Sequence, residues 1–170
     1  MTTNYHTDVA NGAAANAATV NAPLGQIDAK LNPTVGSYSD TSDQSVTVTT
    51  AGTFYAMGGP IEVSFTPAFS GQVFEILFFS GVVYSNTAGR VLLNVRIVDG
   101  ANATVLDQFH PGRVDGRHDV VVWRVRLASR CWTAGAGDVG VTRKAKVYAT
   151  HTVNGSVAHC SQNSLQAVYR

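Results

Sequence analysis

Charge is what this 170-residue sequence has least of. Asp, Glu, Lys and Arg together make up 14%, against about a quarter in ordinary globular domains. Its surface is therefore polar chiefly through Ser, Thr, Asn and Gln. No apolar run approaches the ~20 residues that span a bilayer, and the opening MTTNYHTDVANG has no basic stretch leading into an apolar one. A soluble chain without a readable secretion signal, and with no membrane partner, is expected. Two cysteines, Cys131 and Cys160, are too few for a disulfide framework and leave their pairing open. Nucleophile elbows, Walker loops, dinucleotide fingerprints, His-Glu-x-x-His and paired CxxC motifs are all missing. No catalytic residue, cofactor or metal is expected, and the chain reads as a non-enzyme.

Three weaker chemical signals point the same way. His151, His159, Cys160 and Cys131 are the best metal-ligand candidates, yet their spacing matches no zinc module and no His-x-His occurs. Glu75, inside the apolar run QVFEILFF, draws attention as a buried acid with a raised pKa. Glu62, Asp107, Asp115 and Asp119 supply no fixed second carboxylate beside it, so an ion pair or an interface position is the favoured reading of Glu75. TAGAGDVG (133–140) lacks the Lys-Ser/Thr ending of a phosphate loop and reads as a strand connection.

The scarce charge is unevenly spread. Residues 1–89 hold one basic residue, Lys30, against six acids, and residues 90–170 hold eleven basic residues against five acids. The basic residues are scattered along strand-like text, so nucleic-acid binding is not expected.

Three regions follow from the patterning. Residues 1–22 include VANGAAANAATVNA, which offers too little apolar area to offset its ordering entropy, and read as an extended attachment arm. Residues 23–44 read as a short helix and linker: Pro23 suits a first helical turn and Asn32-Pro33 ends it. Val20, Leu24, Ile27 and Leu31 form a narrow stripe of coiled-coil spacing. So short a helix is marginal alone, and its stripe must meet either the following domain or equivalent helices of other copies. The second is expected, which makes these four residues an oligomer interface.

From residue 45 to residue 170 the text is all-β. Val46 and Val48 share one face, as do Ile61, Val63 and Phe65. QVFEILFFSGVVY suits a strand buried on both sides. In RVLLNVRIVDG, Leu92, Asn94, Arg96 and Val98 oppose Val91, Leu93, Val95 and Ile97. In HDVVVWRVRLAS, Val121, Trp123, Val125 and Leu127 are expected to face inward; in VTRKAKVYAT, Val141, Ala145 and Val147 oppose Lys144, Lys146 and Tyr148. Eight or nine strands separated by Gly-, Asn- and Asp-rich turns predict a jelly-roll-like antiparallel β-sandwich. Two of its connections are candidate recognition loops: Tyr84, Asn86 and Arg90 around SNTAGR, and Arg113, Asp115, Arg117 and His118 within HPGRVDGRHD.

The stretch NAATVNAPLGQIDAKL (residues 16–31) resembles the N-terminal segment of tailed-bacteriophage virion proteins, among them tail fibres, receptor-binding proteins and capsid-attached fibres. There a similar A-x-V-N-x-P-L-G-Q-L-D stretch precedes an all-β domain; Ile27 stands here where Leu is usual. The resemblance implies a virion protein on the particle surface, assembled in the bacterial cytoplasm. It further implies a decoration (cement) protein or a short fibre that attaches to the major capsid or another virion protein through residues 1–32. Combined with the apolar stripe, it predicts a homotrimer. The alternative is a receptor- or glycan-binding module that takes a host surface glycan.

Overall fold

The computed structural model describes residues 34–116 and 126–170. Ten strands run through them: β1 (Thr34–Asp40), β2 (Gln44–Val48), β3 (Tyr55–Ala56), β4 (Glu62–Phe65), β5 (Val73–Ser85), β6 (Gly89–Asp99), β7 (Val105–Gly116), β8 (Arg126–Thr133), β9 (Arg143–His151) and β10 (Ser156–Tyr169). One sheet has the order β1–β10–β5–β8, with β2 also on β10; the other has the order β3–β9–β6–β7, with β4 also on β9. Taking β1 with β2 and β3 with β4 as single positions leaves eight: the first, third, sixth and eighth form one antiparallel sheet, and the second, fourth, fifth and seventh the other. The first position pairs with the last and the second with the seventh. That is the jelly roll, as expected.

Alternation builds the core. Ile61 just before β4, Val63 and Phe65 of β4 and Val91, Leu93, Val95 and Ile97 of β6 are all buried between the sheets, as are Ala145 and Val147 of β9. Phe65, Phe74 and Trp132 close one end as an aromatic cluster, with ring centroids 4.8 Å apart for Phe65–Phe74 and 5.7 Å for Phe65–Trp132. The long apolar text of β5 is explained by a change of phase. Gly81 and Gln162 make no ladder pair between Ser80↔Asn163 and Val82↔Ser161, with the register the same on either side. Gln162 is at φ +53°, and both strands switch sides there, so Phe74, Ile76 and Phe78 before the break and Val83 after it all face inward. Leu77 and Phe79, on the other side of the same strand, are only half-buried, which corrects the expectation of a strand covered on both faces. The break sits where β10 changes partner from β1 to β2.

Three other expectations need correction. The sandwich begins at Thr34, inside the stretch 23–44 read as helix and linker. TVGSYSD puts only Tyr38 as a large side chain on its inner side, so its alternation is faint, and Gly36 is needed because a Cβ there would lie 2.7 Å from the Ser64 carbonyl oxygen of β4. Leu127 faces outward and is 70% exposed. Trp132 anchors the even-numbered positions of β8 in the core, and with a period of two Leu127 must then point to solvent. Val141 precedes β9 and is exposed. Val121, Trp123 and Val125 lie outside the described residues, as do the arm and the stripe Val20, Leu24, Ile27 and Leu31.

Both cysteines are free. Cys160 is completely buried on β10, and burial pushes its thiol from an ordinary 9.0 up to about 12. Burial, then a hydrogen bond to Asp40, likewise pushes the Tyr38 phenol up to about 12. Both groups are neutral acids protected by the fold. Their contribution is complete below the unfolded-chain pKa and is lost as pH rises through the folded value. Urea unfolding is therefore expected to give a free energy that holds to about pH 9 and then declines, Cys160 alone accounting for on the order of 4 kcal/mol by pH 12. In Cys160→Ala the decline should be shallower; an unchanged slope would refute this account of it.

Candidate functional site

One end of the sandwich gathers the connections β2–β3, β5–β6 and β9–β10, and hydrogen bonds stitch them together. The Ala51 N–H donates to Asn154 Oδ1 (2.6 Å), and the Gly52 N–H to the His151 carbonyl (3.0 Å). The Arg90 N–H donates to Thr152 Oγ1 (3.0 Å), and the Val157 N–H to Asn86 Oδ1 (2.9 Å). Gly89 adjoins this seam at φ +149°, where a Cβ would strike the His151 ring. The fully buried His151 accepts the Val153 N–H on Nδ1 (2.9 Å), which places its proton on Nε2.

The two candidate recognition loops, remote from one another in sequence, arrive at this end side by side. Arg90 is the register partner of Asp115, and Leu92 of Arg113. Neither stretch is wholly loop, however. Tyr84 closes β5, Arg90 opens β6, and β7 continues through Gly116, so residues 110–116 are strand and not the polar connection read from HPGRVDG. Pro111 is tolerated because β7 is an edge strand of its sheet. Arg117 and His118 lie outside the described residues.

Beside these loops, on the outer side of the first sheet, Tyr84 and His159 stack with ring centroids 4.3 Å apart and planes 9° from parallel. They are register partners on β5 and β10. Both reach the same carboxylate oxygen of Asp43: the Tyr84 phenol donates at 2.9 Å, and His159 Nδ1 lies at 2.7 Å. Burial, and then the hydrogen bond to Asp43, raises the Tyr84 pKa, so the phenol keeps its proton. The arrangement fixes two rings as a rigid ledge beside the loops. Sequence reading found Tyr84 and Asn86 but not Asp43, which sits 116 residues from His159 in an unremarked Ser/Asp turn.

The remaining chemical candidates are dispersed. Glu75 is outward on β5 and ion-paired with Arg170, whose hydrogen bond is the main cause of a lowered pKa, not a raised one. His151 and Cys160 point into the core while His159 and Cys131 are on the outer side, and among the described residues no three His, Cys, Asp or Glu converge on a metal site. The Gly-rich stretch 133–140 is a connection containing a short 3₁₀ turn, Ala136–Asp138, braced by Asp138 accepting from Arg143 at 2.7 Å.

The outer face of the first sheet has a different character. Serines, Gln166 and Thr133 surround an apolar centre, where Leu77, Phe79 and Leu127 line a groove of about 250 Å³ with Ser164 and Gln166 beside them. Among the described residues its acids are partnered: Glu75 pairs with Arg170, and Asp43, at the Tyr84 end, is held by Tyr84 and His159. The outer side of the other sheet presents Arg96, Lys144 and Lys146, with Glu62 accepting from both lysines at 3.2 Å.

No protein-family model matches the chain, and no curated protein matches it. Solved structures with a similar fold include the enzymatically active domain of bacteriophage CBA120 tailspike protein 4 (10% identity over 79% of this chain and 18% of that one, TM-score 0.40). The infectious bursal disease virus VP2 subviral particle is another (11% identity, 78% and 32% covered, TM-score 0.44). A third is the carbohydrate-binding module CBM6cm-2 from Cellvibrio mixtus lichenase 5A (14% identity, 79% and 97% covered, TM-score 0.33). The chain spans less than a third of the tailspike and VP2 chains it resembles.

Proposed function

We propose that the chain is a structural protein of a bacteriophage virion, a homotrimeric decoration or short-fibre protein attached through residues 1–32 and displaying its jelly roll outward. The observation that carries this reading is the neutral outer face of the first sheet. In a cyclic trimer each chain sets one patch against a different patch of the next copy, and an apolar patch with no unpaired charge fits such a contact whichever surface it meets. A face whose acids Glu75 and Asp43 are both partnered, and whose centre is Leu77, Phe79 and Leu127, meets another copy without like-charge repulsion. The other sheet, with Arg96, Lys144 and Lys146 outward, does not. The resemblance of residues 16–31 to virion attachment segments supports the same reading and supplies the second partner, the particle itself.

Removing residues 1–32 is expected to abolish co-sedimentation of the protein with phage particles while leaving the β-type circular dichroism spectrum intact. Full particle binding by the truncated chain would overturn the attachment role.

A second reading, a module for host surface glycans, is favoured by the convergence of the two recognition segments beside the Tyr84–His159 ledge. It predicts saturable binding of host polysaccharide that weakens when Tyr84 or Arg90 is replaced by alanine.

A further inference from the structure

The outer side of the second sheet holds a cluster that the assembly reading leaves unexplained. Arg96 of β6 is clamped between two rings, its guanidinium carbon 4.6 Å from the centroid of Tyr148 on β9 and 5.2 Å from that of Phe54, just before β3. In the ladder Arg96 lies directly across from Lys146, a like-charge pairing that destabilises a sheet. Glu62 is engaged by Lys144 and Lys146, and no carboxylate partner of Arg96 is found among the described residues. Among the described residues it is thus two aromatic faces that hold this cation.

Three buried polar atoms on this face lack hydrogen bonds, one on Arg96 itself and the others at the next two outward positions along the ladder. These are Arg96 Nε, Asn94 Oδ1 and Thr150 Oγ1. Asn94 is 0% exposed and Thr150 3%. Asn94 opposes Tyr148 and Thr150 opposes Leu92 across the β6–β9 ladder, so the three residues share one face. Asn94 uses its amide N–H on Gln108 (3.1 Å), which leaves its carbonyl oxygen free to accept. Buried polar groups are normally satisfied, and an unsatisfied cluster of donors and acceptors needs a reason.

We propose that this cluster is a binding site for a carboxylate-bearing saccharide, such as a hexuronic or sialic acid unit of an acidic surface polysaccharide. Arg96 pairs with the carboxylate, as its planar donor fork favours. The Tyr148 and Phe54 rings take the C–H face of the sugar, and Asn94 and Thr150 take its hydroxyls. Phe54 belongs to the β2–β3 connection and not to a ladder, so a shift of its ring from Arg96 and from His110, 5.7 Å away, onto the sugar's face breaks no sheet hydrogen bond. The site rests on the glycan-recognition reading and is separate from both the Tyr84 ledge and the neutral sheet face.

The test is calorimetric titration of the full-length protein with tri-galacturonate, a sialic acid trimer and neutral galactotriose. At least one acidic probe is expected to bind about tenfold or more tighter than galactotriose. Arg96→Gln should erase that preference. Phe54→Leu, altered outside any strand, should weaken acidic binding with an unchanged melting temperature, so the test survives if Arg96→Gln fails to fold. Equal affinity for acidic and neutral probes, or a preference that survives in folded Arg96→Gln, would remove this site while leaving glycan recognition standing. No binding of any probe would remove both.

Discussion

Phe74→Ala is expected to cost about 3–5 kcal/mol of stability, the range for emptying a packed aromatic site. Phe74 lies on β5, between β10 and β8, and is 0% exposed. Its ring sits 4.8 Å from Phe65 of the opposite sheet and 6.2 Å from Trp132 of β8, so its loss opens the junction between both sheets at once. Three large rings leave little scope for collapse around the gap. For a domain of this size the melting temperature should fall by on the order of 10 °C. Leu77→Ala, only three residues along but on the outer side, should cost on the order of 1 kcal/mol or less. Similar losses for the two variants in urea titrations would mean that the inward and outward sides of β5 have been assigned wrongly.

Leu127→Glu is expected to do the opposite: it should leave the fold intact and dissolve the assembly. In the single chain Leu127 is 70% exposed, so a glutamate there meets water and changes stability by no more than about 0.5 kcal/mol. In the assembled state it would place an unpaired charge in an apolar contact lined by Leu77 and Phe79, where burial of a charge without a partner is costly. Sedimentation velocity should show folded monomers with an unchanged β-type circular dichroism spectrum, their melting temperature lowered only by the loss of the assembly's mass-action stabilisation. Phe79→Glu should behave alike, whereas Ser37→Glu on exposed β1, remote from the groove, should not. An assembly that tolerates Leu127→Glu would exclude this face as the contact.

Most of the sandwich was legible from alternation alone. In β4, β6 and β9 period two grouped the residues by face correctly, Val141 apart, although the grouping alone did not say which face is inward. The failures share a cause, the absence of a phase reference. Leu127 was grouped with Val121, Trp123 and Val125, and only Trp132, packed on Phe65 and Phe74, fixes which side of β8 is inside. β1 passed unnoticed because Gly36 and small serines mute its pattern, although Gly36 is what lets β1 approach β4. HPGRVDG looked like a turn by composition, yet β6 supplies a partner that keeps it extended.

The candidate sites were legible in part. Tyr84, Asn86 and Arg90 stood out because they flank a glycine-containing break between apolar runs. Their neighbours Asp43 and His159 come from the first and last strand positions of the jelly roll, a contact only the topology creates. Arg96 was placed on the correct side of β6, but its enclosure by Phe54 and Tyr148 depends on β3 and β9 lying beside it. No local pattern encodes that enclosure.

The most direct measurement is the mass of the intact chain in solution by multi-angle light scattering, across a hundredfold range of concentration. Self-association into a trimer predicts a single species of three 17.9 kDa chains. A species that stays at one chain throughout, and still binds phage particles fully, would contradict it.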